Sequence, residues 1–395
     1  MTDAPARAAH PALTVLMTVD AVGGVWTYAL ELARALGPAT RVHVAVLGPG
    51  PDAAQRAEAM TVPGLALHHL ECALEWMDEP WDDVARAGEW LLSLERALGP
   101  DVVHLNGFAH GALPWRAPAV VVAHSCVCSW WEAVHGVPAP AAWDRYRAAV
   151  RAGIAAADLV VAPTHAMLDA VRREHGLRAG VVVPNGRDAR HFPARAPTPT
   201  VLTAGRLWDA AKNVRAVVDA ARALPAGWQV TVAGDVAPPE GAHGEARDAL
   251  PADGAAARVR WLGRLPTPAL AAHMAGAAIY ALPARYEPFG LSALEAALAG
   301  CALVLGDLPS LREVWDDAAW FVPPDDGEAL GYALATLAAD PPRRAALADA
   351  ARTRALGYTP ARMGDGYRAA YAAAAEARAA RRAHRTPVLE VPACV

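Results

Sequence analysis

What most restricts this chain is a rhythm that runs twice. Short β-branched runs alternate with alanine- and leucine-rich segments of helical period. LTVLMTV (13–19), RVHVAVL (41–47), DVVHL (101–105), AVVVAH (119–124), DLVVAP (158–163) and GVVVP (180–184) read as strands, most of them separated by helical patterns. Strands apolar along both faces must be covered on both sides, which predicts parallel pairing with helices packed above and below. RHFPARAPTPT (190–200) has three prolines and no periodicity, and marks a linker. The rhythm then restarts with TVLTAGR (200–206), a helix over 213–224, QVTVAGD (229–235), RVRWLG (258–263), a helix over 268–276, AIYALP (278–283), a helix from about residue 291, and ALVLGD (302–307). A chain of 395 residues exceeds one ordinary core. The expectation is therefore α/β, with two Rossmann-like, doubly wound parallel-sheet domains, 1–192 and 193–357, facing a central cleft. A last helical pattern over 358–385 opens with Thr359-Pro360 and is expected to lean back on the first domain.

Bulk properties narrow the function. At 54% hydrophobic and 19% charged residues the chain reads as soluble and globular, and no apolar run approaches the ~20 residues of a membrane span. The opening MTDAPARAAHPA lacks the order of a signal peptide, so a cytoplasmic location is expected. A net charge of -5 speaks against nucleic acid as a partner. Arg378, Arg381, Arg382 and Arg385 cluster near the C-terminus, where a solvated helix face is favoured over a membrane-surface or anionic-partner patch. The five cysteines, 72, 126, 128, 301 and 394, are odd in number and scattered, and Cys126-Val-Cys128 is too tight for a usual zinc spacing; they read as free thiols.

Ligands of open α/β sheets sit beyond the carboxyl ends of the strands. After the first strand come Gly23 and Gly24, which either let amides approach an anion or sugar, or serve a tight turn. Their spacing is not the dinucleotide fingerprint. His124 ends another strand, where it is either structural or a donor to a sugar hydroxyl titrating near neutrality. Trp130 and Trp131 follow, to stack on a ligand or to pack in the core. Gly205 and Arg206 end the first strand of the second half, and Lys212 stands six residues on from Arg206. Two fixed cations around a strand-to-helix turn suit a diphosphate, while the absence of Gly-Lys-Ser/Thr disfavours a P-loop. Glu287 sits in the loop of RYEPFGLSALEAALAG, and Glu295 lies eight residues on, inside the helix. Both read as hydroxyl acceptors facing the opening, with the amides of Gly290, Leu291 and Ser292 turned to phosphate between them. For Glu295 a role toward the helix dipole serves as well.

Taken together, Gly23-Gly24, His124, Pro184-Asn185-Gly186 with Asp188, Gly205-Arg206, Lys212-Asn213, Gly263 and Glu287-Pro-Phe-Gly-Leu-Ser-Ala-Leu-Glu295 resemble the retaining glycosyltransferases of the GT-B fold, in the large group-1, family-four branch. The likeness covers nearly the whole chain. It implies transfer of a hexosyl group, with retention, from a nucleoside diphosphate sugar, with a UDP-sugar first, to a small-molecule, glycan or lipid acceptor. Arg206 and Lys212 would neutralise the diphosphate, and the amides of Gly290 to Ser292 would cap its far phosphate. Glu295 would take the ribose hydroxyls and Glu287 those of the sugar. His124 would reach the sugar from the first domain, Gly24 would lie near the diphosphate or acceptor, and the loop of Gly263 and Arg264 would meet the base. Neither metal nor other cofactor is implied. Arg187 replaces an aliphatic residue common in the family, a departure given little weight. The alternatives are a nucleotide-sugar 2-epimerase of the same fold and a non-catalytic sugar-nucleotide-binding protein.

Overall fold

Along each strand of this chain successive side chains enter opposite cores. Leu16 belongs to one buried cluster while Val15 and Met17 belong to another, and Leu202 and Val201 divide in the same way. The sequence is apolar at both parities because both faces of each sheet are covered. The computed structural model describes residues 13–241 and 258–385. Its first lobe is built on β1 (Thr14–Asp20), β2 (Arg41–Leu47), β3 (Leu65–Leu70), β4 (Val102–Leu105), β5 (Ala119–Val122), β6 (Leu159–Ala162) and β7 (Val181–Val182). The second is built on β8 (Thr198–Ala204), β9 (Gln229–Ala233), β10 (Val259–Gly263), β11 (Ala277–Leu282), β12 (Ala302–Gly306) and β13 (Trp320–Val322). The sheet orders are β3-β2-β1-β4-β5-β6-β7 and β10-β9-β8-β11-β12-β13, with all pairs parallel.

Two strands escape the sequence reading. β3, LALHHL, is an edge strand whose two histidines and partial burial blur its pattern. β13 has three residues and closes the other sheet's edge, so β12 is not the last strand of the second lobe. The linker is also shorter than its prolines suggest, because β8 already begins at Thr198 and takes Pro199 at the strand's start, where a missing amide is tolerated. The helix expected over 213–224 is an α-helix only over Val214–Ala220, followed by a 3-10 turn.

The final helix, Pro360–Arg385, leaves the second lobe and packs on the first. Met363, Tyr367, Ala370, Tyr371 and Ala374, spaced as one helical stripe, join the cluster formed by Val15, Met17 and the helix Gly24–Leu36. Burying a side chain the size of Met363 contributes about 1.5–3 kcal/mol. Three of the arginines beyond this stripe bond the first lobe, with Arg381 and Arg382 still exposed to solvent. Arg378 donates to the carbonyls of Trp115 and Ala117 at 2.7 and 2.9 Å, Arg381 to that of Ala157 at 3.0 Å and Arg382 to that of Arg116 at 2.8 Å. Asp158, its side chain 1% exposed, pairs with Arg378 and Arg381. Cys72, Cys126, Cys128 and Cys301 are buried free thiols. Cys394, residues 1–12 and the Arg385 side chain lie outside the described residues.

Candidate active site

In each sheet the winding reverses beside one strand, β1 in the first lobe and β8 in the second, and the loops that part there leave a crevice. The two crevices meet. A β-carbon at Gly23 would lie 3.6 Å from Arg206 Nη1, and one at Gly24 would lie 3.4 Å from Leu291 Cδ1. Across the same seam the Trp130 indole donates to Asp209 Oδ1 (2.9 Å), the Cys126 amide to Tyr286 Oη (3.0 Å) and the Thr164 hydroxyl to the Pro288 carbonyl (2.9 Å). The glycine pair thus allows close approach of the lobes as well as a turn.

The loop after β8 is shaped by its own carboxylate. Asp209 Oδ1 accepts from the Ala211 amide (3.0 Å), and Asn213, in the left-handed region at φ 52°, turns the chain into the helix Val214–Ala220. This puts Arg206 2.8 Å from Asp209 Oδ2 and Lys212 Nζ 2.7 Å from Glu287 Oε2. A β-carbon at Gly205 would already touch the Lys212 stem at 3.6 Å. Burial alone would raise the Asp209 carboxyl, but Arg206, Lys212 and the Trp130 indole hold it below its ordinary value. Glu287 behaves alike: burial raises it, and Lys212 with the amides of Gly290 and Phe289 brings it below.

Pro-Phe-Gly-Leu now has a local explanation. Phe289 is buried in the second-lobe core, and Gly290 takes φ 88°, a conformation open to glycine, so that Leu291 can start the helix Leu291–Leu298 against the first lobe. Glu287 Oε1 accepts the Gly290 amide at 2.9 Å. The Gly290 amide, expected to face phosphate, is here engaged by Glu287. The amides of Leu291 and Ser292 open the helix and have no intrahelical acceptor by construction.

His124 departs from its expectation. Its Nε2 lies 2.8 Å from Asn106 Oδ1, and His104 Nε2 lies 3.0 Å from the same oxygen. The Asn106 amide nitrogen donates to the Thr18 carbonyl (2.7 Å), which fixes the oxygen toward both rings. Both imidazoles then carry their proton on Nε2, and His124 keeps Nδ1 as an acceptor. Burial and the neighbouring His104 push His124 down to about 3, so it does not titrate near neutrality. Asp20, at the end of β1, is pushed up by burial against the pull of the Val22 amide and Arg206.

Glu295 does not stand open to the cleft. It is 8% exposed, and its Oε1 lies 2.8 Å from Arg187 Nε, although that N–H is not aimed as a hydrogen bond. Arg187 Nη1 in turn donates to Glu31 Oε2 of the helix Gly24–Leu36 at 2.6 Å. The guanidinium is 2% exposed and joins a carboxylate from each lobe, so the departure at position 187 is a structural centrepiece and not a minor one. Burial raises Glu295, Arg187 opposes it, and Glu31 raises it further. Arg264 stands at the far rim, 3.4 Å from Asp52 of the first lobe and 3.8 Å from Asp235, and Gly263 lends its carbonyl to the Gly234 amide (2.9 Å).

From Arg206 and Asp209 a cavity of about 210 Å³ runs into the first lobe past His124 and Asn106. One water needs only about 10–15 Å³ on such a measure. Trp76, Phe108, Trp130, Trp143 and Tyr146 form aromatic walls beside the polar Thr18, Asp20, Asn106 and His124, and Glu75 anchors one side by accepting the amides of Phe108 and Ala109 at 3.0 and 2.8 Å. Asp20, Asn106 and Asp209 escaped the sequence reading, and Arg187 entered it only as a departure of little weight. The first three could have been flagged because each follows or ends a strand beside a winding reversal.

Comparison with known proteins agrees with this architecture. Sucrose-phosphate synthase from Thermosynechococcus elongatus superposes with a TM-score of 0.72 at 20% identity, over 91% of this chain and 100% of that one. Anabaena HepE in complex with UDP-glucose gives 0.71 at 18% identity, over 93% and 100%. Two Rossmann-like lobes apposed in this way make the protein a member of the GT-B fold class. Residues 22–191 match the family described as Glycosyltransferase Family 4, and residues 198–340 match Glycosyl transferases group 1. A glycogen synthase of Mycobacterium tuberculosis is 31% identical over 291 residues, 67% of this chain and 66% of that protein, so the match spans just under two thirds of the relative's length. The chain belongs to the group-1, family-four glycosyltransferases.

Proposed function

We propose that the protein transfers a hexosyl group, with retention, from a nucleoside diphosphate sugar to the hydroxyl of an acceptor bound in the first lobe. The reading is carried by one observation: Arg206 and Lys212 are held on the β8 loop directly against the Gly23 turn and Glu287. A guanidinium, an ammonium and the opening amides of the helix Leu291–Leu298 can stabilise a departing diphosphate without a metal ion. UDP is the first candidate, since the HepE structure that resembles this fold holds UDP-glucose. His124 Nδ1 and Glu287 are acceptors for sugar hydroxyls. Retention would follow if the departing phosphate takes the acceptor's proton on the face it leaves. The aromatic cavity favours an acceptor with a compact apolar body carrying one hydroxyl over a long glycan.

Thermal stabilisation by UDP, GDP, ADP and TDP selects the base, because a ligand at 100 times its dissociation constant adds about 2.7 kcal/mol. The matching sugar nucleotide is then offered with simple phenols and with maltooligosaccharides, and the product's anomeric configuration is read by NMR. Stabilisation by one diphosphate and a retained linkage to a phenol are expected. No stabilisation by any of the four, or an isomerised donor in the absence of acceptor, would overturn transfer.

A further inference from the structure

Behind the catalytic cleft three soft ligands converge that the transfer reaction does not use. Cys126 caps the helix Val127–His135, Cys128 lies in its first turn, and His175 ends the helix His165–His175. They are 1%, 2% and 6% exposed. Their ligand atoms lie within 4.8 Å of one another, with Cys126 Sγ and His175 Nε2 3.0 Å apart. From this juxtaposition we propose that Cys126, Cys128 and His175 form a buried structural site for one zinc ion.

Zn–S bonds of about 2.3 Å and Zn–N bonds of about 2.0–2.1 Å at tetrahedral angles place two sulfurs about 3.8 Å apart and sulfur about 3.6 Å from nitrogen. The 3.0 Å edge between Cys126 Sγ and His175 Nε2 would open by about half an ångström to take the ion, and the remaining edges lie within 4.8 Å. Charge favours a divalent ion. Two thiolates and Zn²⁺ sum to zero, which a dry interior tolerates, whereas a monovalent ion would leave a buried negative charge. The helix ends agree: the sulfurs stand at a helix N-terminus, which favours thiolate, and the imidazole at a helix C-terminus, which favours a cation. The buried His175 ring meets the Cys126 sulfur through Nε2, the nitrogen that the site needs as its ligand. Binding releases the two thiol protons.

The Cys126-Val-Cys128 spacing read as too tight for zinc, and the third ligand, 49 residues on from Cys126, lies beyond the reach of any spacing rule. The ion would pin the turn between His124 and the helix Val127–His135, whose Cys126 amide holds Tyr286 next to Glu287. The inference stands apart from the glycosyl-transfer reading, and its test needs no substrate.

Protein purified under reducing conditions is assayed for zinc by mass spectrometry, and after chelation is titrated with Co²⁺ to read thiolate-to-cobalt absorption. About one zinc per chain and a tetrahedral cobalt spectrum are expected, with zinc content at least tenfold lower in Cys128→Ser and His175→Gln and unchanged in Cys72→Ser. Sub-stoichiometric zinc with no cobalt–thiolate band in the unmodified chain, or undiminished zinc in Cys128→Ser, overturns the site. So does a Cys126–Cys128 disulfide found as the native state. The cobalt arm decides even if a variant fails to fold.

Discussion

Lys212 Nζ and Glu287 Oε2 stand 2.7 Å apart, a hydrogen bond that joins the loops after β8 and β11. An arriving diphosphate competes for the same ammonium, so the pair holds the site together until the donor is bound. Replacing Lys212 by Ala removes both the anion's partner and the charge that keeps Glu287 ionised. Turnover per bound donor is expected to fall about 10²–10³-fold, the usual loss for one stabilising donor. Glu287→Gln keeps an acceptor for the Gly290 amide and releases Lys212, so UDP affinity by calorimetry is expected to hold or rise while turnover collapses. Wild-type rates in either variant would remove the pair from the reaction.

Arg187 is expected to be the costliest single side chain to remove. Arg187→Leu leaves Glu31 and Glu295 buried against each other without a cation, a loss of about 3–5 kcal/mol. Adding Glu31→Gln should return part of it. Thermal unfolding of the three proteins decides the matter, and a variant Arg187→Leu as stable as the parent would show that the triad contributes little.

The His104 imidazole predicts an acid sensitivity. Burial pushes it down from 6.5 to about 4, so the unfolded chain takes up its proton first as pH falls. Stability is full above about 6.5 and is lost progressively as pH drops toward 4. Between pH 7 and pH 5 this group alone accounts for roughly 2 kcal/mol, and His124 on the same Asn106 oxygen acts in the same direction. Urea unfolding at the two pH values is expected to show a smaller difference in His104→Gln. An unchanged difference would assign the sensitivity elsewhere.

Gly186 offers a steric test. A β-carbon there would fall 2.3 Å from the Thr359 carbonyl oxygen, which is backbone and cannot turn aside, whereas at Gly276 no atom lies within 4 Å. Gly186→Ala is expected to cost about 1–3 kcal/mol or more by overpacking, and Gly276→Ala far less. Equal melting temperatures for the two variants would refute the contact.

Most strands and the cleft loops were legible because period and turn chemistry are local. Glu287, Arg206 and Lys212 stand where strands end, and that much follows from position along the chain. Their pairing does not, since the Lys212–Glu287 contact spans 75 residues. The same limit hid Arg187, whose partners come from both lobes, and His175, which completes a cluster begun far upstream. His124 was placed correctly at a strand end, yet its proton is governed by Asn106 and His104, which no spacing rule connects. β3 and β13 were missed because edge strands have weaker or shorter patterns.

The polypeptide crosses between the lobes twice, outward through 183–197 and back through 356–359, and the Arg187 amide bonds the Tyr358 carbonyl at 3.0 Å where the passages touch. Two adjacent threads behave as the knuckles of one door hinge. Rotation about that line would spare the bond between the threads, whereas sliding one lobe past the other would break it.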